Sequence, residues 1–156
     1  MRIHNYVDSG CKETAQYDRL AIEREEVLED WLHRSPELLL EEQILIIGRQ
    51  VRLETGVADL VGIDCFGNTC VFEVKIGRSG SGSASEETIL SQPQNYAQSL
   101  SSYDYEGLND LYQDYQARLT RGEWNVSEDS DCGGNLLIDF ETAFGESLEP
   151  HQFNTT

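Results

Sequence analysis

The residues able to do chemistry concentrate in GVADLVGIDCFGNTCVFEVKIG, Gly56 to Gly77, where Asp59, Glu73 and Lys75 interrupt otherwise apolar runs. Lysine is scarce, two residues against nine arginines, so its position in such a run calls for a reason. Asp-Cys-Phe-Gly-Asn at 64–68 fits a type I turn whose glycine is left-handed, a common three-residue hairpin loop. Asp64 then pairs with Asn68, and counting outward sets Asp59 directly opposite Glu73, with Lys75 further along on the same face. The carboxylates would stand about 5 Å apart at Cβ. Like charges at that distance repel by roughly 3 kcal/mol at an effective dielectric near 20. A divalent cation between them reverses the sign, and carboxylate oxygens favour Mg²⁺ or Mn²⁺ over zinc. Beside that cation, Lys75 would orient or help deprotonate an attacking water, or stabilise the charge on a pentavalent phosphate. The chemistry is metal-assisted phosphodiester hydrolysis. Two alternatives stay open: a two-residue Gly-Asn turn would put Asp59 and Glu73 on opposite faces, and an isolated spacing of this kind also suits a plain salt bridge from Lys75 to either acid without metal.

The elements that must position these groups follow from periodicity. Ile22, Val27, Leu28, Trp31 and Leu32 fall at helical spacing, with Pro36 just past the helix end. ILIIG at 44–48 and RQVRL at 49–53 read as one strand, followed by the hairpin arms 57–64 and 68–76. GRSGSGSASEETILS, 77–91, reads as a flexible loop. SQPQNYAQSLSSY is expected to be helical from a cap at Ser91, with Pro93 tolerated in the first turn. A second helix is expected from Gly107 to Leu119, with Leu108, Leu111, Tyr112, Tyr115 and Leu119 on one side. SEDSDCGG, 127–134, is a loop, and LLIDFETAF, 136–144, a final helix. Strand, hairpin and flanking helices indicate an α/β layer sandwich.

Composition bounds the possibilities. One domain and one core fit 156 residues, 38% of them hydrophobic. No apolar run approaches the roughly 20 residues of a membrane span, and MRIHNYVDSG lacks a signal-peptide core, so the expected location is the cytoplasm with no membrane partner. Cys11, Cys65, Cys70 and Cys132 form no CxxC pair and the three histidines are scattered, so the thiols read as buried or idle rather than as zinc ligands. Twenty-nine acids against eleven bases give a net charge of −18, which ordinarily opposes a polyanionic partner. The acids are spread along the chain, and an acidic, lysine-poor surface resembles that of proteins from salt-loving archaea. In molar salt the Debye length shrinks to roughly 3 Å, so surface acids repel nucleic acid only weakly.

Several features in the right order resemble the PD-(D/E)XK nuclease superfamily and, within it, the NucS-type endonuclease domain with its short standalone relatives. The likeness covers about residues 25–100. EVLEDWLHRSPELL (26–39), preceded by Glu25, resembles the family's first helix, and LIIGRQV (45–51) the strand after it. GVADLVGIDCFGN (56–68) resembles the segment carrying the metal-binding aspartate, VFEVK (71–75) the strand carrying the E-x-K pair, and QPQNYAQSL (92–100) the Q-x-x-x-Y helix. The resemblance implies a restriction-endonuclease-like sandwich, a central mixed β-sheet flanked by helices, occupying 22–122. Residues 1–21 would form an N-terminal segment with one strand around Arg2–Val7, and 123–156 an acidic loop and C-terminal helix, shortened where relatives continue into another strand.

Carried over residue by residue, it implies that Asp59 and Glu73 hold Mg²⁺ or Mn²⁺, that Glu25 completes the carboxylate shell or holds a water, with Glu26 and Glu29 close enough to take its place, and that Lys75 acts on water or the transition state. Gln92 would orient the water or Lys75, and Tyr96 would pack. Arg49 and Arg52 on the neighbouring strand would contact phosphate or form surface salt bridges. The link from Lys75 to Gln92 is longer and richer in Ser and Gly than is usual in the family, and Pro93 follows Gln92 directly. The implied function is a DNA endonuclease, active in repair on single-stranded, branched or mismatched DNA, working as a homodimer or with a separate DNA-binding partner, since the N-terminal DNA-binding domain of NucS-type proteins has no counterpart here. The alternatives are an inactive nuclease-fold module that binds DNA or protein, and an acidic protein-interaction domain.

Overall fold

The computed structural model of the chain describes residues 24–40, 42–75, 86–124 and 134–155, with the side chains of 38, 39 and 86–92 outside the described set. The expected strand near Arg2–Val7, Cys11, Cys132, the stretch 76–85 and nearly all of the loop 127–134 lie outside these residues. In order come α1 (Glu25–Arg34), α2 (Glu37–Leu40), β1 (Leu45–Leu53), β2 (Gly56–Ile63), β3 (Thr69–Phe72), α3 (Glu86–Leu100), α4 (Tyr105–Thr120), α5 (Leu136–Phe144) and a 3₁₀ turn at Pro150–Gln152.

The strands form one antiparallel sheet in the order β1-β2-β3. A mixed sheet was the expectation. Parallel pairing needs a crossover that delivers a further strand, and after β3 the next described elements are the consecutive helices α3 and α4. Consecutive residues Leu60 to Ile63 of β2 are all buried, so both faces of the sheet are covered there, since neighbouring side chains point to opposite sides. Leu60, Val61 and Ile63 pack with Ile47 of β1, Leu108 and Tyr112 of α4 and Phe140 of α5 in one apolar cluster. β1 carries a bulge between Ile46 and Gly48, which shifts its register against β2.

Local chemistry explains the helix limits. α1 places Glu25 and Glu26 in its first turn and His33 and Arg34 in its last, matching the helix dipole at both ends. Asp104 caps α4 by accepting from the Gly107 amide, which starts the helix two residues ahead of the Gly107 expected. Asn135 caps α5 through the Leu137 and Ile138 amides, and Gly145 ends it in the left-handed conformation (φ 71°). α3 differs most from expectation. It begins at Glu86, so residues 86–91 are helical rather than loop, and Pro93 sits in the helix interior instead of the first turn. A proline there removes the bond to the carbonyl of residue 89 but leaves the following turns intact, and the half-buried Pro93 is tolerated at that local loss.

The C-terminal segment folds back onto the hairpin through Asn154. Its backbone amide donates to the Gly67 carbonyl (2.9 Å), its side-chain amide donates to the Leu100 and Tyr103 carbonyls (2.9 Å each), and its Oδ1 accepts from the Thr69 hydroxyl (2.9 Å). One residue thereby joins the hairpin turn to the end of α3. Asn154 adopts φ 52°, a conformation asparagine tolerates better than most residues. Asn154→Gly keeps that backbone and removes the three side-chain bonds, for a loss of about 2 kcal/mol. The expected outcome is a fall of roughly 4–8 °C in thermal midpoint by circular dichroism. A change under about 1 °C would show that the clamp contributes nothing.

Candidate functional site

The hairpin turn forms as its residue types dictate. The Asp64 amide donates to Asn68 O (3.1 Å) and the Gly67 amide to Asp64 O (3.1 Å), with Gly67 at φ 85°. Asp64 Oδ1 accepts from the Phe66 and Asn68 amides (2.9 Å each), so this carboxylate serves the turn. A side chain at 67 would also strike Leu148 at 2.8 Å, so glycine is required there on two grounds. The resulting pairs are Ile63 with Thr69, Gly62 with Cys70, Val61 with Val71 and Leu60 with Phe72. This is the register of the three-residue loop and not of the Gly-Asn turn, and continued one step past its last pair it would bring Asp59 level with Glu73.

At that step the regular ladder stops. β3 ends at Phe72 rather than running to residue 76, and the Val74 amide donates to Asp59 Oδ2 (2.8 Å) in place of a backbone bond. Lys75 Nζ lies 2.7 Å from Glu73 Oε1. The Glu73 side chain is only 6% exposed, and its Oε2 is buried with no hydrogen-bond partner among the described residues. The hydrogen bond to Glu73 raises the Lys75 pKa, burial opposes the rise, and the charges of Glu73, Asp59 and Glu25 add to it. Lys75 therefore carries its proton in this arrangement, and Glu25, Asp59 and Glu73 all act on one ammonium. Behind the hairpin, Tyr96 of α3 is buried against Gly56, where a Cβ would meet its hydroxyl at 2.9 Å; Gly56 also holds φ 145°.

The other expected residues are distributed as follows. Glu25 is exposed at the start of α1 and reaches Lys75 through charge. Among the described residues no group of three or more His, Cys, Asp or Glu side chains is placed to hold a metal ion, so Glu25 does not close a three-carboxylate shell with Asp59 and Glu73. The reason is its place in the first turn of α1, in solvent. Glu26 is exposed and pairs with Arg24 at 3.7 Å. Glu29 is buried and accepts from Arg49 Nε (2.7 Å). Gln92 lies in α3, and its side chain is outside the described residues.

Arg49 corrects a sequence expectation. It is 6% exposed and bonds Glu29, Asp30 (2.7 Å) and His33 (3.2 Å), so its guanidinium is committed inside the protein and does not face a phosphate. Arg52 is exposed on β1. It lines a groove of about 690 Å³ between β1 and α4 together with Asp110, Asp114 and Arg118. Asp59, Glu73 and Lys75 take no part in that groove, and its acids oppose phosphate. Cys65 and Cys70 are free thiols; burial pushes the Cys70 pKa up to about 11, which leaves it an inert thiol at neutral pH.

Sequence reading missed Gln50 and His33. Gln50 Nε2 donates to both oxygens of Glu29 (3.1 and 3.2 Å) and to Asp59 Oδ1 (3.2 Å). Residues 49 and 50 of a regular strand would point to opposite faces, yet both reach Glu29 because Gln50 holds φ 51°. The β1 bulge and this left-handed residue leave no mark in the sequence. His33 is buried against Arg49, Tyr115 and Trp124. A guanidinium only donates, so His33 Nδ1 accepts from Arg49 and the ring proton sits on Nε2, directed at the Tyr115 hydroxyl.

No family model, no curated protein and no solved structure matches this chain. No helix among the described residues is long and apolar enough to cross a membrane.

Burial, then the Arg49 charge, lowers the His33 pKa from 6.5 to about 4. Between those values the unfolded chain binds the proton and the folded one does not, so stability is full above pH 6.5 and falls as pH drops toward 4. The span corresponds to roughly 3 kcal/mol. Urea midpoints measured across this range should fall more steeply for the natural protein than for His33→Gln. Parallel curves would assign the acid sensitivity to carboxylates instead.

Proposed function

We propose that this chain is a metal-dependent endonuclease with a restriction-endonuclease-like α/β architecture, hydrolysing DNA phosphodiesters in the cytoplasm, with repair substrates (single-stranded, branched or mismatched) as its targets. The observation that carries the reading is the hairpin register. The ladder runs to Leu60 with Phe72, the Val74 amide donates to Asp59 Oδ2, Lys75 lies 2.7 Å from Glu73, and Glu73 Oε2 is buried and unpartnered among the described residues.

Those residues fit Mg²⁺ or Mn²⁺, because such ions keep several waters and need only one or two protein carboxylates. Asp59 and Glu73 would hold the ion, and the orphaned Glu73 oxygen is the donor most in need of a partner. When bound, the ion lowers the pKa of a coordinated water and neutralises phosphate charge. The protein supplies the positioning. The Val74 amide fixes one oxygen of Asp59, burial fixes Glu73, and the Lys75 ammonium stabilises negative charge growing on the phosphoryl oxygens. The net charge of −18 makes salt screening part of substrate binding, and a homodimer or a separate DNA-binding partner would supply the missing positive surface.

A second reading is favoured by the same ion pair. Lys75 neutralises Glu73 through Oε1 at 2.7 Å, and no three-carboxylate group is assembled among the described residues. A nuclease-fold module that binds DNA or protein without cutting needs no more.

Cleavage of single-stranded, branched and mismatched DNA with Mn²⁺ in high KCl separates the readings. Cutting should occur and should drop at least about 100-fold in Asp59→Ala and in Lys75→Ala, the scale of losing one electrostatic stabiliser. Mn²⁺ binding that is lost in Glu73→Ala, without cleavage, would establish the inactive module. Absence of both would leave the acidic interaction domain.

A further inference from the structure

The Gln50 side chain stands between two carboxylates that would otherwise repel, and its backbone is held where glutamine rarely goes. Its Nε2 donates to Glu29 Oε1 and Oε2 and to Asp59 Oδ1, at 3.1 to 3.2 Å. All three acceptors are carboxylate oxygens, so the amide nitrogen and not its oxygen must face them. The φ of 51° is a left-handed value within β1 at a residue that is not glycine. Such a conformation is costly for a residue other than glycine and persists only where the surroundings impose it. Here the imposed geometry has a visible result: residue 50 faces Asp59 across the β1–β2 pair and still reaches Glu29 on α1.

Glu29 is itself immovable, since it is buried and bonded to the buried Arg49 at 2.7 Å. Gln50 therefore ties Asp59 to a fixed point in the core. With the Val74 amide on Oδ2 and Gln50 on Oδ1, both oxygens of Asp59 are held and each retains a free lone-pair direction. We propose that Gln50 is a positioning residue that locks the Asp59 carboxylate in its site orientation and keeps Glu29 out of the site. As a statement about metal binding this rests on the endonuclease reading; as a statement about Asp59 it does not. A neutral donor suits the task, because a cation here would lower the negative charge that Asp59 offers a metal, and partners that orient a ligand from behind commonly govern 10–100-fold in affinity.

Gln50→Gly separates positioning from folding, since glycine accepts φ 51° without strain while lacking the amide. Gln50→Asn tolerates the same backbone but is too short to span both carboxylates, and serves as the second variant should the glycine chain fold poorly. Amide hydrogen exchange at Val74, expressed relative to Val61 in the same sheet so that global stability cancels, reads the Asp59 orientation without any metal. The expected results for Gln50→Gly are Val74 exchange about tenfold faster relative to Val61 and Mn²⁺ affinity by calorimetry about tenfold weaker, with the relieved backbone strain offsetting part of the stability lost with the hydrogen bonds. Val74 exchange within twofold of the natural protein in both variants would overturn the proposal. Faster Val74 exchange in a protein whose natural form neither binds Mn²⁺ nor cuts DNA would uphold the positioning role and remove the endonuclease reading.

Discussion

The arrangement depends on one buried cation. Arg49 uses Nε for Glu29 and Nη2 for Asp30, both at 2.7 Å, and Nη1 for His33 at 3.2 Å, while its plane lies 5.3 Å from the Trp124 ring centre. Each of the three guanidinium nitrogens thus meets a partner on α1, and the stacking partner follows α4. Removing one member of such a buried pair typically costs 3–5 kcal/mol, because the other charge stays behind unpaired. Asp30 keeps 44% of its side chain in solvent, so one of the two anions is partly hydrated and the cluster tolerates one more acid than base. Burial, aided by the same guanidinium, keeps His33 neutral, and neutral His33 bonds Tyr115 of α4. The Arg49 carbonyl accepts from Arg118 (3.0 Å), which itself stacks 4.4 Å from Trp124. Two helices are thereby registered on β1 by polar contacts that allow few alternatives.

From that hub a chain of hydrogen bonds runs outward to the candidate site: Arg49 to Glu29, Glu29 to Gln50, Gln50 to Asp59, Asp59 to the Val74 amide. The first two links both join α1 to β1, the third joins β1 to β2, and the fourth joins β2 to the segment after β3. Where β3 gives up regular pairing at Phe72, the Asp59 side chain takes over the structural task that the backbone has dropped. Freed from the ladder, the segment from Glu73 to Lys75 can turn Glu73 inward and Lys75 outward.

The parts legible in the sequence are those set by local chemistry. The turn residues Asp64, Gly67 and Asn68 determine the loop, and the loop determines the register from Ile63 with Thr69 to Leu60 with Phe72. α5 is legible for the same reason, an apolar run between an asparagine cap and a left-handed glycine. What was misread depends on distant partners. Arg49 looks like a surface cation until α1 brings Glu29 and Asp30 to it. Gln50 looks unremarkable because its role requires both the bulge before Gly48 and a strained backbone, and neither has a residue signature. Pro93 looks like a helix start, and only the packing of α3 on β3 explains why the helix extends through it.

Charge decides what the site can do. Arg24, Arg49, Lys75, Arg118 and Arg121 each pair with an acid, while Arg34 and Arg52 have no ion pair among the described residues. A chain at −18 offers a polyanion little attraction of its own. The proposed chemistry must then take its positive charge from bound metal and from screening salt. Glu73 provides the local reason a metal would enter: one oxygen is neutralised by Lys75, and the other is buried without a donor. A buried carboxylate oxygen in that state is costly. Under the proposed reading, a cation reaching that oxygen would relieve this cost. The unpaired oxygen is thus a destabilising feature among the described residues, and the proposal of a bound metal leans on it more than on any other contact.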